Sequence, residues 1–397
     1  MDKYSKSIAF VASIVYFSQG ALGIASIVLP LHLRSLDLSV GQIATLSSLA
    51  AAPWVAKIIY GLLSDSYPLW GYRRKSYLAL CSMLSAAGWV FLVVLPPSWH
   101  CLLISLMIGN LGFAAMDVVT DGLIVEHSTR ETSPVYQGIA WGTRSLGAFL
   151  TGLSGGWLAQ HWVARDVFLL TATLPLAVFL AVNGILKEKP SPAVPAIQII
   201  ESLKQCFRLL LLPNLMWFVG ILIFSSTASI FGVPFFFYMK ETLGFSETFL
   251  GGLISLGWAG ALAGSIFYAR VLKRISPKKT LYWAIALNSI NIFSTLLIFD
   301  RRTAFVLSVM GGILLCLTLI PVMSSAALLA THSGVEGTLF AVLMSIYNLG
   351  QIGFGYLGGH VYHITGVKVL ILIAGLTTLG GLFCVKMLNL KYLKPAV

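Results

Sequence analysis

Long, continuously apolar stretches alternate along the chain with short polar or turn-rich breaks. A helix needs about 20 apolar residues to span the hydrocarbon core of a membrane, whereas a barrel strand needs about ten with strict alternation. The stretches here are long and do not alternate, so they predict membrane-spanning helices. We predict roughly twelve spans, at about 8–33, 40–63, 77–96, 101–126, 136–159, 166–186, 213–238, 247–270, 280–299, 304–329, 337–359 and 367–389.

Composition supports an integral membrane protein. Hydrophobic residues make up 57% of the 397 residues and charged residues only 10%, compared with about 25% charged residues in soluble domains. A soluble enzyme, a nucleic-acid-binding protein and a disordered protein are therefore disfavoured. The five cysteines are scattered and form no C-x-x-C pair, so we expect no disulfide framework and no metal site. We also expect no cofactor. We expect a monomer whose partners are membrane lipid and a small-molecule substrate.

Basic residues predict the orientation of the spans. With the N-terminus placed in the cytoplasm, 18 of the 26 lysines and arginines fall in inner segments and six in outer segments, which leaves Lys57 and Arg144 within spans. Such a bias marks the cytoplasmic side. Both termini are therefore predicted to be cytoplasmic, in a multi-pass protein of a bacterial plasma membrane, and the first stretch is read as an uncleaved span.

The longest polar break divides the chain into two halves. We predict an N-terminal six-helix bundle at 1–186, a cytoplasmic linker at 187–212 with an amphipathic piece, and a C-terminal six-helix bundle at 213–397. Basic clusters follow the second span of each half, Arg73-Arg-Lys75 in the first and Arg270 to Lys279 in the second. Repeated halves that meet at the midplane of the membrane are a transporter architecture.

Five ionisable residues lie within or at the inner edge of spans 2, 4 and 5. An unpaired charge at the bilayer centre costs about 2.5–3.5 kcal/mol on insertion scales, so these residues need partners, water or a function. One interpretation is a static cluster in which Lys57 and Arg144 neutralise two aspartates. The other is that a carboxylate carries a proton while Arg144 binds an anionic substrate. The five are Lys57, Asp117, Asp121, Glu126 and Arg144.

Further candidates for substrate binding lie in other spans. Gln19 lies in the first span, and the second half offers Trp258, Asn348 and Gln351. Aromatic faces and amides suit a planar solute that forms hydrogen bonds, although for each residue alone packing or interhelical hydrogen bonding is the favoured interpretation. In the inner loop after span 2, Asp65 can pair with Arg73 or Arg74 when the cytoplasmic side is closed, so these three residues are candidates for gating.

Several strings resemble the folate-biopterin transporter family of the major facilitator superfamily. They are Pro53-Trp-Val-Ala-Lys57, Gly61-Leu-Leu-Ser-Asp65, Pro68-Leu-Trp-Gly71-Tyr-Arg-Arg-Lys75-Ser-Tyr77, Asp117-Val-Val-Thr-Asp121-Gly-Leu-Ile-Val-Glu126, Gln137-Gly-x-x-Trp141-Gly-Thr-Arg144-Ser-Leu-Gly147, Phe237-Tyr-x-x-x-x-Leu243-Gly-Phe-Ser246, Glu336 to Ser345 and Asn348-Leu-Gly350.

The resemblance implies twelve helices, alternating access and transport of folates and pterins with protons as the coupling ion. It places Lys57, Asp65, Arg73, Arg144 and the acidic residues of span 4 at motif positions, with Asp117, Asp121 and Glu126 as candidates for proton coupling. Muropeptide permeases share the acidic pattern but lack the string from Pro68 to Tyr77. Other family members are thought to carry other solutes, including S-adenosylmethionine, so the resemblance leaves the cargo open.

Folate fits these residues chemically. Its pterin ring could stack on Trp or Tyr, its glutamate carboxylates could meet Arg144 or Lys57, and Asp117 could accept the pterin amino edge in bidentate form. The alternatives are a transporter of another solute, such as S-adenosylmethionine, a nucleotide or a muropeptide, and a membrane enzyme or receptor. The pair His360 and His363 is a weak metal motif, and the chain has no phosphate-binding loop of an ATP-driven pump.

Overall fold

The computed structural model describes residues 3–127, 133–190, 196–271, 275–331 and 335–389, which form helices joined by short turns. The α-helices are α1 Lys3–Ala21, α2 Ala25–Ser35, α3 Val40–Ala50, α4 Lys57–Ser66, α5 Lys75–Val94, α6 Trp99–His127, α7 Ser133–His161, α8 Ala164–Ile185, α9 Ala196–Leu210, α10 Pro213–Ser225, α11 Gly232–Phe237, α12 Glu247–Arg270, α13 Pro277–Ser294, α14 Arg301–Ala330 and α15 Glu336–Met387.

Ten segments of the described residues are long and apolar enough to cross a membrane. The expectation of an all-helical membrane protein is therefore confirmed. Helix α7 covers the predicted fifth span and has 29 residues. Helix α15 has 52 residues, about 78 Å of helix at 1.5 Å per residue, which is far more than one crossing needs. Gly366 interrupts α15 with a φ of 72°, between the last two predicted spans.

Four of the predicted spans are not continuous α-helices. In one of them, 280–299, the 3₁₀ segment Thr295–Leu297 follows the end of α13. The stretches 8–33, 40–63 and 213–238 were expected to be uninterrupted, but each contains a short 3₁₀ segment, at Leu22–Ile24, Ala52–Ala56 and Thr227–Ile230. In the second case Pro53 lies at the start of the 3₁₀ segment, where its missing N–H and its fixed φ favour a break. As a result Lys57 is the first residue of α4, and the break places its side chain within the bundle.

A tight turn connects α4 with α5. Leu69 and Tyr72 form an antiparallel bridge, and the two residues between them have positive φ, 50° at Trp70 and 84° at Gly71. Positive φ at both central positions is typical of a type I′ turn, in which glycine avoids the steric cost. The turn places Arg73 and Arg74 immediately before the first residue of α5.

The chain divides into two compact units, each with its own apolar core. In the first unit, α5 and α6 approach so closely at Gly88 and Gly109 that a Cβ on Gly88 would collide with the backbone of Gly109. Small residues at helix crossings allow this approach in membrane proteins. The first unit comprises Met1–Asp37, Leu49–Ile199 and Ser246–Ser255, and the second comprises Leu38–Ser48, Ile200–Phe245 and Leu256–Val397.

Candidate functional site

A buried ion pair lies at the centre of the ionisable cluster in the first unit. Lys57 Nζ donates a hydrogen bond to Asp117 Oδ2 at 2.6 Å, and the two side chains are only 18% and 9% exposed. The Lys57 ammonium also lies 5.1 Å from the centre of the Trp54 ring, and Trp54 Nε1 donates to Asn110 Oδ1 at 2.8 Å. Asn110 and Asp117 are two helical turns apart on α6, so both contacts fix the start of α4 against one face of α6.

Two side chains of α1 face the two aspartates of α6. Gln19 Nε2 donates to Asp117 Oδ1 at 3.1 Å, and the Tyr16 hydroxyl donates to Asp121 Oδ1. Tyr16 and Gln19 are three residues apart, and Asp117 and Asp121 are four apart, so each pair shares a helix face. Since a carboxylate only accepts, Gln19 must direct its NH₂ group to Asp117. Its Oε1 is buried and has no hydrogen-bond partner among the described residues.

Asp117 and Asp121 therefore differ in what they can still bind. Both oxygens of Asp117 are engaged, one by Lys57 and one by Gln19. Asp121 is exposed, and within the described part of the chain its carboxylate forms no salt bridge. Of the two aspartates, Asp121 is therefore the one whose carboxylate can still accept hydrogen bonds from a ligand.

Arg144 is the second available charge. It is half-buried on α7. Its positive charge interacts electrostatically with the carboxylates of Asp117 and Asp121. It forms no salt bridge within the residues that the structure describes, and its guanidinium lies 5.2 Å from the centre of the Trp141 ring. Trp141 is 42% exposed. Of the expected neutralisation of two aspartates, the structure shows one direct ion pair, Lys57 with Asp117, whereas Arg144 forms no ion pair within the described residues.

A second cluster of charges surrounds Arg74. Its guanidinium contacts Asp65 Oδ1 at 2.5 Å, Glu126 Oε2 at 3.4 Å and the Ser64 hydroxyl at 2.8 Å. Arg74 is only 7% exposed, whereas the side chains of Asp65 and Glu126 are 56% and 43% exposed. Of the candidates for gating, Arg74 and Asp65 are therefore in direct contact. Glu126, a candidate for proton coupling, lies in this cluster and not beside Asp117.

Glu188 caps the start of α5. Its carboxylate accepts hydrogen bonds from the backbone N–H groups of Arg73, Arg74 and Lys75 at 2.6–3.1 Å. A carboxylate at a helix N-terminus satisfies N–H groups that have no partner within the helix and favours the positive end of the helix dipole. Glu188 thereby fixes the backbone that carries Arg74. Sequence reasoning missed Glu188, because nothing in Lys187-Glu-Lys189 distinguishes a cap from an ordinary charged linker.

The candidates of the second half lie in the second unit. Gln351 is exposed and donates to the Tyr347 hydroxyl at 3.4 Å, and Trp258 and Asn348 are partly exposed. Sequence reasoning also missed Tyr16, although its spacing of three residues from Gln19 on one helix could have indicated it.

Comparison with known proteins identifies the family of the chain. A model of the BT1 family matches residues 19–371, which is most of the chain. The chain belongs to the BT1 family. Among relatives of this BT1-family protein, a folate-biopterin transporter of Synechocystis sp. is 31% identical over 92% of the chain and 78% of the relative. Folate transporter 2 of Plasmodium falciparum is 25% identical over 88% of the chain and 80% of the relative.

Solved structures of transporters share the fold. The nucleoside transporter NupG superimposes with a TM-score of 0.74 at 14% identity, over 96% of this chain and 98% of that chain. A D-xylose-proton symporter gives a TM-score of 0.73 at 15% identity, over 98% of this chain and 99% of the other. The BT1-family protein is therefore a multi-pass membrane protein with the major facilitator fold, as the resemblance in its sequence implied.

Proposed function

We propose that this BT1-family protein moves folate- or pterin-like solutes across a membrane by alternating access. The observation that supports this most is the presence of two available, oppositely charged groups, Asp121 and Arg144, with the exposed ring of Trp141 centred 5.2 Å from the Arg144 guanidinium. The names of its relatives point to the same class of solute.

The chemistry of a folate matches these groups one by one. The pterin ring carries an amino group and a ring N–H on one edge, and a carboxylate can accept from both in bidentate form. The glutamate part carries carboxylates, which suit the guanidinium of Arg144. The flat ring suits stacking on Trp141. Asp121 takes the role that the sequence-based hypothesis gave to Asp117, since both oxygens of Asp117 are already engaged.

We further propose twelve membrane spans, cytoplasmic termini, a bacterial plasma membrane and coupling to protons. The bias of basic residues and the interruption of α15 at Gly366 support the count and the orientation. Coupling to protons is supported by Asp121, because its carboxylate is exposed and forms no salt bridge with a cation in the described residues. A folate uptake rate that ignores an imposed pH gradient would argue for exchange or facilitated diffusion.

The cluster around Arg74 is proposed as the cytoplasmic gate. Exchanging Asp65 for Asn removes the charge that holds Arg74 at 2.5 Å and leaves a side chain of the same shape. We expect the variant to bind folate within about threefold of the wild type and to lose about tenfold in the rate of uptake, since one charge-assisted bond contributes about 1.5 kcal/mol. Parallel measurement of binding and uptake checks this. Equal losses of binding and uptake would contradict a gating role.

Uptake into proteoliposomes tests the proposed function. Purified protein should accumulate labelled folate, unlabelled biopterin should compete, and S-adenosylmethionine, nucleosides and muropeptides should not. Empty liposomes are the control. If S-adenosylmethionine or a nucleoside competes and biopterin does not, the protein transports a different class of solute and the proposal is wrong.

A further inference from the structure

The linker helix α9 exposes apolar and basic side chains next to each other. Cys206 is only 1% exposed and belongs to the core of the second unit, with Leu209 and Leu210 packed against it. By contrast Phe207 is 69% exposed. Leu211, which directly follows the helix, is 74% exposed. One face of α9 is therefore fixed to the protein while large apolar groups beside it are uncovered.

The order of the side chains around the helix axis is specific. Successive residues are rotated by about 100°, so residues four apart lie almost above each other. Phe207 and Leu211 form one such pair, and the exposed Lys204 and Arg208 form the next pair around the axis. The exposed apolar pair thus lies between the face that packs on the second unit and the basic pair.

This order suits a helix that lies in the interfacial layer of a membrane. Apolar side chains of such helices enter the acyl region, while Lys and Arg on the adjoining face reach the headgroups. Met216, one turn into α10, is 57% exposed and lies in the segment Pro213–Thr242, which is long enough to span a membrane. Large uncovered apolar side chains thus follow one another from α9 into the first turn of a segment that can span a membrane.

We propose that α9 binds the headgroup of an anionic phospholipid through Lys204 and Arg208, while Phe207 and Leu211 enter the acyl layer. The guanidinium of Arg208 suits bidentate contact with a phosphate, and Lys204 adds a second positive charge one turn away. A soluble phosphate would use the basic pair alone and would leave the adjoining apolar pair uncovered. The combination of both pairs identifies a lipid as the ligand.

Retention of lipid by the purified full-length chain tests this site. Phosphatidylglycerol and phosphatidylcholine are offered to the protein in a neutral detergent, and bound lipid is counted by native mass spectrometry. We expect preferential retention of phosphatidylglycerol, and we expect the K204Q/R208Q variant to bind it about 30-fold more weakly, since each basic residue near an anionic surface contributes about a factor of five. High salt should also weaken the binding of phosphatidylglycerol to the wild-type protein, because it screens the charges of Lys204 and Arg208.

Two variants serve as controls. R301Q/R302Q removes two exposed basic residues at the start of α14 and should retain the lipid as the wild type does. K204R/R208K keeps both charges and should also retain it. An unchanged melting temperature in the absence of added lipid shows that each variant is folded.

Three outcomes would overturn the proposal. They are equal retention of the two lipids by the wild type, undiminished retention by K204Q/R208Q, and displacement of phosphatidylglycerol by soluble glycerol phosphate, which would assign a phosphate site instead. None of these outcomes depends on folate transport, so the lipid site and the proposed function can fail separately.

Discussion

Replacing Lys57 with Met is expected to lower the free energy of unfolding by about 3–5 kcal/mol, the cost of removing one partner from a buried ion pair. Asp117 is 9% exposed as a side chain, and Lys57 is the only cation within salt-bridge distance of it in the described residues. Without Lys57, the carboxylate stays buried, and Gln19 is its one remaining hydrogen-bond donor among the described residues. The thermal or denaturant-induced unfolding of the purified protein measures this loss.

A second substitution tests whether the loss of stability comes from the unpaired charge of Asp117 or from the changed shape of the side chain at position 57. Asp117→Asn in the Lys57→Met background removes the buried charge, so we expect the double variant to regain most of the lost stability. Lys279→Met, which changes an exposed lysine at the start of α13, is the matched control and should leave stability within about 0.5 kcal/mol. A Lys57→Met variant as stable as this control would show that the pair contributes nothing to the fold.

Replacing Asp121 with Ala is expected to weaken the binding of biopterin by about 10- to 150-fold, which corresponds to about 1.5–3 kcal/mol for hydrogen bonds to a charged acceptor. Asp121 is exposed and takes part in no salt bridge of the described chain, so its removal should leave the fold intact at the cost of one hydrogen bond from the Tyr16 hydroxyl. Equilibrium binding of biopterin to the purified variant is the measurement.

Tyr16→Phe is the matched control for this prediction. It removes the hydroxyl that donates to Asp121 and leaves the carboxylate in place. We expect biopterin to bind this variant as tightly as the wild type or slightly more tightly, because one acceptor oxygen is released. If Tyr16→Phe and Asp121→Ala weaken binding equally, the carboxylate supports the structure and does not contact the ligand.

The sequence predicted the class of fold and the neighbourhood of the site, because both depend on features that a single chain displays. Apolar stretches of about 20 residues indicate spans, and charges within them must approach one another in the bilayer. That Lys57 meets an aspartate of the fourth span follows from this rule.

The choice of partner within the cluster could not be predicted from the sequence. Asp117 and Asp121 lie one turn apart on the same helix, so depth alone does not decide which of them meets Lys57. The 3₁₀ segment Ala52–Ala56 decides it, because it determines where α4 begins. Glu188 and Tyr16 were missed for a similar reason, since their contacts depend on how α8 and α1 pack against elements distant in sequence.

The comparison of two ligands on one variant tests the central claim most directly. Folate carries glutamate carboxylates and biopterin carries none, so only folate should depend on Arg144. We expect Arg144→Gln to raise the Kd of folate about tenfold or more, as the loss of a charged hydrogen bond implies, and to leave the Kd of biopterin unchanged. Equal dissociation constants of wild type and Arg144→Gln for folate, or equal weakening of both ligands, would contradict the assignment of Arg144 and Asp121 to opposite ends of one solute.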